Sequence, residues 1–332
     1  MNHNEMSLTK QAYEHLVCSI ENPDEPEIER EYVGMLRVMP ATRWNSIAST
    51  RPNPDQLWGE FWYEGEVCCL FADSNLGKSI LAVQIAEEIA RRQTVIYFDF
   101  ELTDKQFQLR CSDESGTLHD FPERFLRAQV DTCQYQGEDF EDAIIRDIEQ
   151  CAVNNDARVL IVDNLTWLCN SSEKGDAAGE LMMRLVQLKK KYGWSILVIA
   201  HTPKRMQGLP LTANDLAGSK KLFNFFDSVF AMGQSATDHT LRYIKQLKVR
   251  NGEFHYGADN VMLGHIVKPS TLAHFEWSGF GKEKTHLKLQ DAEVVKRDQE
   301  ILEMRREGLS IRDIAELMEV SKSLVDKVIR RA

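Results

Sequence analysis

The 332-residue sequence lacks long hydrophobic runs. Its longest apolar stretches, VIYFDF (95–100) and SILVIA (195–200), have the length of a strand and fall well short of the ~18 residues of a membrane-spanning helix. Cysteine is sparse and unpatterned. The seven residues Cys18, Cys68, Cys69, Cys111, Cys133, Cys151 and Cys169 are odd in number and contain no C-x-x-C pair, which argues against a disulfide framework or zinc module and for reduced, mostly buried thiols. Positive charge is also in deficit: 40 Lys and Arg against 51 Asp and Glu give a net charge of −11. A chain-wide basic footprint for nucleic acid is therefore absent, and any such contact has to come from local patches. The opening MNHNEMSLTKQAYEH has no basic-then-apolar layout, so a cytoplasmic protein without membrane contact is expected. Internal repeats and low-complexity tracts are missing, and the nine histidines show no metal-ligand spacing. What remains is globular material, 43% hydrophobic and 27% charged, long enough for two or three domains.

Three regions are expected. Residues 1–40 read as a helical N-terminal extension (Leu8, Tyr13, Leu16, Val17, Ile20) passing into the acidic linker ENPDEPEIERE. In 41–290, strand-like runs at 66–71, 94–100, 157–163, 194–200, 227–232 and 240–249 alternate with helical stretches at 79–92, 103–111, 138–152 and 178–191. Apolar strands alternating with helices imply an α/β fold with a mostly parallel sheet covered on both faces. Gly-dotted residues 251–290 read as closing strands and loops, and 291–332 as a small all-α domain. Trp44, Trp58 and Trp62 either pack a sheet edge or flank a base.

The strand EVCCLF runs into Ala72, Asp73, Ser74, Asn75, Leu76, Gly77, Lys78 and Ser79, then into a helix with Leu81, Ile85 and Ile89 on one face. This is G-x-x-x-x-G-K-[ST] with alanine at its first position, in the strand–loop–helix context the motif requires. Loop amides and a helix N-terminus bind phosphate oxygens, because unpaired N–H groups and the helix dipole favour anions. In ATP, Lys78 would reach the β and γ phosphates, while the Ser79 hydroxyl would ligate Mg²⁺. Asn75 stands where many such loops have another glycine, and asparagine tolerates left-handed backbone angles.

Acidic residues close two later strands. Asp163 ends RVLIVD, where a carboxylate would hold magnesium and its waters. Glu101 lies just past the strand beside the P-loop, ahead of the capping box Thr103-x-x-Gln106, and could deprotonate an attacking water. Asp99 competes for that role, since alternation puts both acids on one face.

With these residues in place, 57–255 resembles the RecA-like ATPase core of replicative hexameric helicases, and most closely the RepA-like ATPases of plasmids and mobile elements. YFDFELTDKQFQLR is similar to the family's strand-then-glutamate segment, which favours Glu101 as base. SILVIAHTPKR is similar to its third helicase motif, with His201 at the place of the γ-phosphate sensor. NDLAGSKKLFNFFDSVFAM resembles the segment after it, and KQLKVRNGE resembles its Lys-x-Arg-Asn-Gly strand end. The resemblance implies that Lys248 and Arg250 reach the ATP of a neighbouring subunit, that the protein forms a hexameric ring in the manner of the family, and that loops 166–179 and 203–220 face a central channel. The second loop carries Lys204, Arg205 and Lys220, which could track the phosphates of single-stranded DNA.

The tail DAEVVKRDQEILEMRREGLSIRDIAELMEVSKSLVDKVIRRA reads as three helices resembling a helix-turn-helix of the resolvase or sigma-factor type. Ser310 and Ser321 are N-caps, with Ile311, Ile314, Ala315, Met318, Leu324, Val325, Val328 and Ile329 inward. Ser321, Lys322, Ser323, Lys327, Arg330 and Arg331 would be exposed. Four cations against one acid from Ser321 onward suit duplex DNA; protein docking is the alternative. The functions expected are a helicase-like DNA motor for replication or transfer of a mobile element, an ATP-switched DNA-binding regulator or loader, or a signalling-type ATPase without nucleic acid.

Overall fold

Fully buried apolar strands set the frame, as their sequence pattern requires. The computed structural model describes residues 31–131, 133, 137, 140–164, 177–202, 209–216, 220–287 and 292–331. The chain divides into two compact units between Asn53 and Pro54.

In the first unit, β1 (Glu31–Val33) and β2 (Leu36–Val38) form an antiparallel hairpin, followed by α1 (Ala41–Ser49). Within the 1–40 segment read as a helical extension and acidic linker, residues 31–38 form this hairpin. Gly34, at φ 61°, opens a two-residue turn, the position where such hairpin turns favour glycine, and it joins two short runs with β-branched valines. The helical reading of 1–30 lies outside the described residues. Trp44 is exposed, with the Arg37 guanidinium 5.0 Å from its ring centre.

The second unit starts with the hairpin β3 (Gln56–Trp58) and β4 (Trp62–Tyr63) and is built on one nine-stranded sheet. Its strands are β5 (Val67–Ala72), β6 (Val95–Asp99), β7 (Phe125–Ala128), β8 (Val159–Asp163), β9 (Ser195–His201), β10 (Ser228–Gln234), β11 (Leu241–Lys248), β12 (Val261–Val267) and β13 (His274–Gly281). Their order is β13-β12-β11-β10-β5-β9-β8-β6-β7. From β10 to β7 every pairing is parallel, and β11, β12 and β13 close the other side in antiparallel fashion. The expected α/β class with a mostly parallel sheet is what forms.

One expectation about neighbours is corrected. β6 does not lie beside the P-loop strand, because β9 and β8 intervene between it and β5. Sequence order is not sheet order where helical crossovers join parallel strands.

Each strand sends alternate residues to opposite faces. On one face α2 (Lys78–Ala90) buries Leu81, Ile85 and Ile89 against Val95, Tyr97 and Ile161. On the other, α4 (Phe140–Asn154) and α5 (Ala177–Tyr192) bury Ile144, Ile148, Leu181 and Leu185 against Ile96, Phe98 and Leu160. The helix between these, α3 (Asp104–Arg110), is opened by the predicted Thr103/Gln106 capping box. Trp58 and Trp62 are buried, and the Trp58 ring lies 5.3 Å from that of Phe230. They pack the core. A short helix, α6 (Lys220–Phe225), precedes β10.

The C-terminal segment folds as α7 (Ala292–Arg306), α8 (Ile311–Leu317) and α9 (Lys322–Ile329). Gly308, at φ 95°, ends the first helix, and the Ser310 and Ser321 side chains cap the next two. Ile301, Ile314, Ala315, Val325 and Val328 form a separate small core, with Ile311, Met318, Leu324 and Ile329 half-buried around it. Among the described residues, no helix is long and apolar enough to cross a membrane.

Candidate active site

The parallel strands all deliver their C-terminal ends to one rim, where ligands bind in open α/β sheets. β5 leaves the core at Ala72 and turns through Asp73–Gly77 into α2. Asn75 has φ 64° and Gly77 φ 100°, so the asparagine departure from the motif falls at a position needing left-handed geometry. A Cβ on Gly77 would lie 2.6 Å from Ile266 Cδ1 and 3.2 Å from Phe275 Cζ. The β12–β13 hairpin thus presses on the loop and leaves room only for glycine.

Lys78 is buried in this bend, with Nζ donating to the carbonyls of Ala72 (3.0 Å) and Asp73 (2.9 Å). Burial pulls its ammonium below the ordinary lysine range, while the negative charges of Asp163, Glu101 and Asp73 oppose that shift. The Thr202 hydroxyl donates to Asp73 and ties the loop to the end of β9. Ser79, in the first turn of α2, hydrogen-bonds Asp163 at the end of β8. Asp163 is 2% exposed. Burial raises its carboxyl above the usual range, against hydrogen bonds from Ser79 and Tyr97.

Asp99 and Glu101 separate in the structure. β6 ends at Asp99, so strand alternation stops there and the two acids turn to different places. Asp99 is buried and accepts a bidentate pair from Arg127, at 2.9 Å from Nε and 2.8 Å from Nη2. Its other oxygen accepts the backbone N–H groups of Glu101 and Leu102. Glu101 instead meets two polar side chains from the neighbouring strand ends. Its Oε1 accepts from the Asn164 amide and lies 3.2 Å from His201 Nε2; Asn164 Nδ2 lies 3.0 Å from the same ring nitrogen. The hydrogen bond to His201 holds the Glu101 carboxyl below its ordinary range, with burial acting the other way and the charges of His201, Lys78 and Arg110 adding to the lowering.

A cavity of about 790 Å³ opens over these groups and is lined by Asn75, Lys78, Ser79, Glu101, Arg110 and His201 among others. Its size is that of a small-molecule site. The donor set fits a triphosphate with magnesium: a helix N-terminus with a bent, Cβ-free approach, a buried ammonium, and a serine hydroxyl bonded to a buried carboxylate. Ala72, Asp73, Ser74, Asn75, Leu76, Gly77, Lys78 and Ser79 would cradle the phosphates, with Ser79 and Asp163 on the metal side.

Sequence reading passed over four contributors. Asn164 follows Asp163 directly, but an asparagine after a strand has no motif of its own. Arg127 and Tyr97 lie within strands and became visible only through register. Arg110 closes α3 and faces the cavity.

Lys248 and Arg250 do not line the cavity. Lys248 pairs with Val229 on β10, which pairs with Cys69 on β5, three residues before the P-loop strand ends and so roughly 10 Å down the sheet. Its Nζ donates to the Phe223 carbonyl at 3.2 Å. Arg250 donates to Asp227 at 2.7 Å, and the buried Asp227 also accepts from Lys189 Nζ (2.7 Å) and Val67 N (2.9 Å). Lys204 and Arg205, with residues 203–208 and 217–219 of the second loop and 166–176 of the first, lie outside the described residues, as does the side chain of Lys220. In the trihelical segment Ser321, Lys322, Ser323, Lys327, Arg330 and Arg331 are all exposed, with Arg330 paired to Asp326 at 2.9 Å.

Comparison with known families decides the identity of the core. The AAA_25 family, described as an AAA domain, matches residues 35–207, more than half of the chain. The chain belongs to the AAA_25 family. Its AAA domain is a P-loop ATPase. The matched span holds the P-loop, Glu101, Asp163 and His201 and ends before β10, so Lys248, Arg250 and the C-terminal helices lie beyond it. Curated relatives include a protein named DNA repair protein RadA from Pseudomonas aeruginosa, 22% identical over 227 residues covering 66% of this chain and 45% of that protein. A protein of the same name from Streptococcus pyogenes is 25% identical over 193 residues, covering 57% of this chain and 37% of its own length. The chain thus spans less than half of the curated relatives it matches. Among solved structures, a KaiC-like protein from Pyrococcus horikoshii aligns with a TM-score of 0.48 at 12% identity, over 64% of this chain and 91% of that one.

Proposed function

We propose that this AAA_25 protein is an ATP-hydrolysing, DNA-associated RecA-like ring ATPase. One observation carries the reading: Glu101, Asn164 and His201, from the ends of the adjacent strands β6, β8 and β9, meet, and Glu101 and His201 line one cavity with Lys78. Asp99, the competing acid, is occupied by Arg127, which supports Glu101 as the general base. Glu101 takes the proton of the attacking water at its second carboxylate oxygen, while Asn164 and His201 hold Oε1 and His201 stands at the place of the γ-phosphate sensor. Lys78 and the loop amides bind the developing charge on the phosphates. Ser79 and Asp163 would hold magnesium, which would supply charge neutralisation on the phosphates. In a single chain Lys248 and Arg250 lie away from this cavity, as residues acting on a neighbour's nucleotide must. A ring, with a composite site at each interface, follows from that role.

Association with DNA draws support from relatives named as DNA repair proteins and from the exposed basic face of α9. Lys204, Arg205 and Lys220 in the channel loop are proposed contacts to single strands. Ser321, Lys322, Ser323, Lys327, Arg330 and Arg331 are proposed contacts to duplex. Service in replication or transfer of a mobile element rests on the sequence resemblance of 57–255. A second reading, an ATP-switched DNA-binding loader without unwinding, is favoured by the separately packed C-terminal helices.

The test is ATP turnover with and without single-stranded and duplex DNA, with particle mass measured in ATP. Stimulation by single strands together with a ring-sized particle is expected. Retention of duplex without stimulation would favour the loader. Turnover indifferent to both DNAs would leave a signalling-type ATPase.

A further inference from the structure

We infer that Tyr97 is a positioning residue for the magnesium side of the site, holding the Asp163 carboxylate by its phenol. The inference rests on the reading of the cavity as a site for ATP with magnesium.

Register brings the two side chains together. Val95 and Tyr97 of β6 face the α2 layer, as do Val159 and Ile161 of β8, and the same parity turns Asp163 that way. Tyr97 is paired with Ile161 and Asp99 with Asp163, so Tyr97 stands diagonally across from Asp163, within reach of a long aromatic side chain. The Tyr97 hydroxyl donates to Asp163 Oδ2 at 2.5 Å. Both residues are buried, at 1% and 2% exposure.

The hydroxyl is hard to explain by packing. β6 is otherwise apolar up to Asp99, and phenylalanine would fill the same space without burying a polar atom. Tyr97 also lines the cavity, beside Ser79. Asp163 is therefore held by two hydroxyls, Ser79 from α2 and Tyr97 from β6. With Ser79 engaged by a metal ion, the phenol would be the donor that stays and keeps one carboxylate oxygen fixed, and the other would be free to hold the ion or its waters. Outer partners of this kind orient a ligand, and their loss costs ~10–100-fold in metal affinity.

The experiment compares the full chain with its Tyr97→Phe variant, using a fluorescent ATP analogue titrated in chelator and then across magnesium concentrations. The magnesium needed for half of the affinity gain should rise about tenfold in Tyr97→Phe, while metal-free affinity moves by less than about twofold. Turnover should show the same displacement along the magnesium axis. In an Asp163→Asn background, Tyr97→Phe should add no further shift, because the pair acts as one unit. Thermal melting of both variants separates a folding defect from a local one. Unchanged magnesium dependence in a folded Tyr97→Phe protein would overturn the inference. Equal loss of affinity with and without magnesium would overturn it too, since that marks a packing defect. A wild-type protein whose affinity ignores magnesium would sink the reading of the cavity itself, and this outcome is visible before any variant is made.

Discussion

Glu101 Oε1 lies 3.2 Å from His201 Nε2, joining the segment after β6 to the end of β9 across the intervening β8. The contact puts a carboxylate with a lowered pKa on the wall of the phosphate cavity. Glu101→Gln should leave ATP bound and slow hydrolysis by about 10²-fold or more, the usual contribution of a general base. Single-turnover measurements with bound nucleotide check this. Near-normal hydrolysis would return the base role to Asp99 or to another group.

The pH dependence has a definite sign. A general base works as its anion, and the hydrogen bond from His201 is the largest cause holding Glu101 below the ordinary glutamate range. The acid limb of kcat/KM should therefore lie below that range in the wild type. Removing the ring in His201→Ala leaves burial, which raises the carboxyl, so the limb should move to higher pH. A profile of kcat/KM against pH for both proteins decides it; an unmoved limb would detach His201 from Glu101.

Lys78→Ala should weaken nucleotide binding at least tenfold, about 1.4 kcal/mol or more, because it removes the buried cation of the loop. Calorimetry on the full chain reads this directly. Mixing Lys78→Ala with Arg250→Ala subunits should restore part of the turnover that each lacks alone, since some interfaces then pair an intact loop with an intact arginine. No restoration would leave Arg250 as the structural partner of Asp227.

The buried pair Lys245–Glu283 is a stability prediction free of nucleotide. Lys245 Nζ lies 2.6 Å from Glu283 Oε2, with side-chain exposures of 11% and 3%. Glu283 also accepts from Leu211 N at 2.8 Å, and Lys245 donates to Leu211 O at 2.9 Å. Glu283→Ala strands a cation and a backbone donor away from water and should cost about 3 kcal/mol. Denaturant unfolding measures it, with Glu283→Gln expected to lose less.

At the C-terminus, Lys322→Ala with Lys327→Ala should weaken retention of duplex DNA and lower the slope of log K against log salt by about 2. Binding by titration at several salt concentrations gives that slope. An unchanged slope would move the function of this helix to protein docking.

Much of this protein was legible before any coordinates. The apolar runs specify parallel strands because a strand covered on both faces is built mainly from apolar residues, and VCCLFA (67–72) is fully buried as that rule requires. The P-loop is local, since eight consecutive residues contain its turn, its cation and its hydroxyl. Helix caps at Thr103, Ser310 and Ser321 are equally local, depending on residues three apart. The β1–β2 hairpin was missed because a short glycine turn in an acidic stretch has little periodicity.

What depended on tertiary structure was the meeting of residues far apart in the chain. Sheet order set β9 and β8 between β5 and β6, and only that order brings Glu101, Asn164 and His201 together. The end of β6 at Asp99 separated two acids that alternation had placed on one face, giving one to Arg127 and the other to the cavity. Composition and spacing name the chemical groups because those are written residue by residue. Which groups share a cavity is decided by strand register and crossover, which depend on how every layer of the core packs at once.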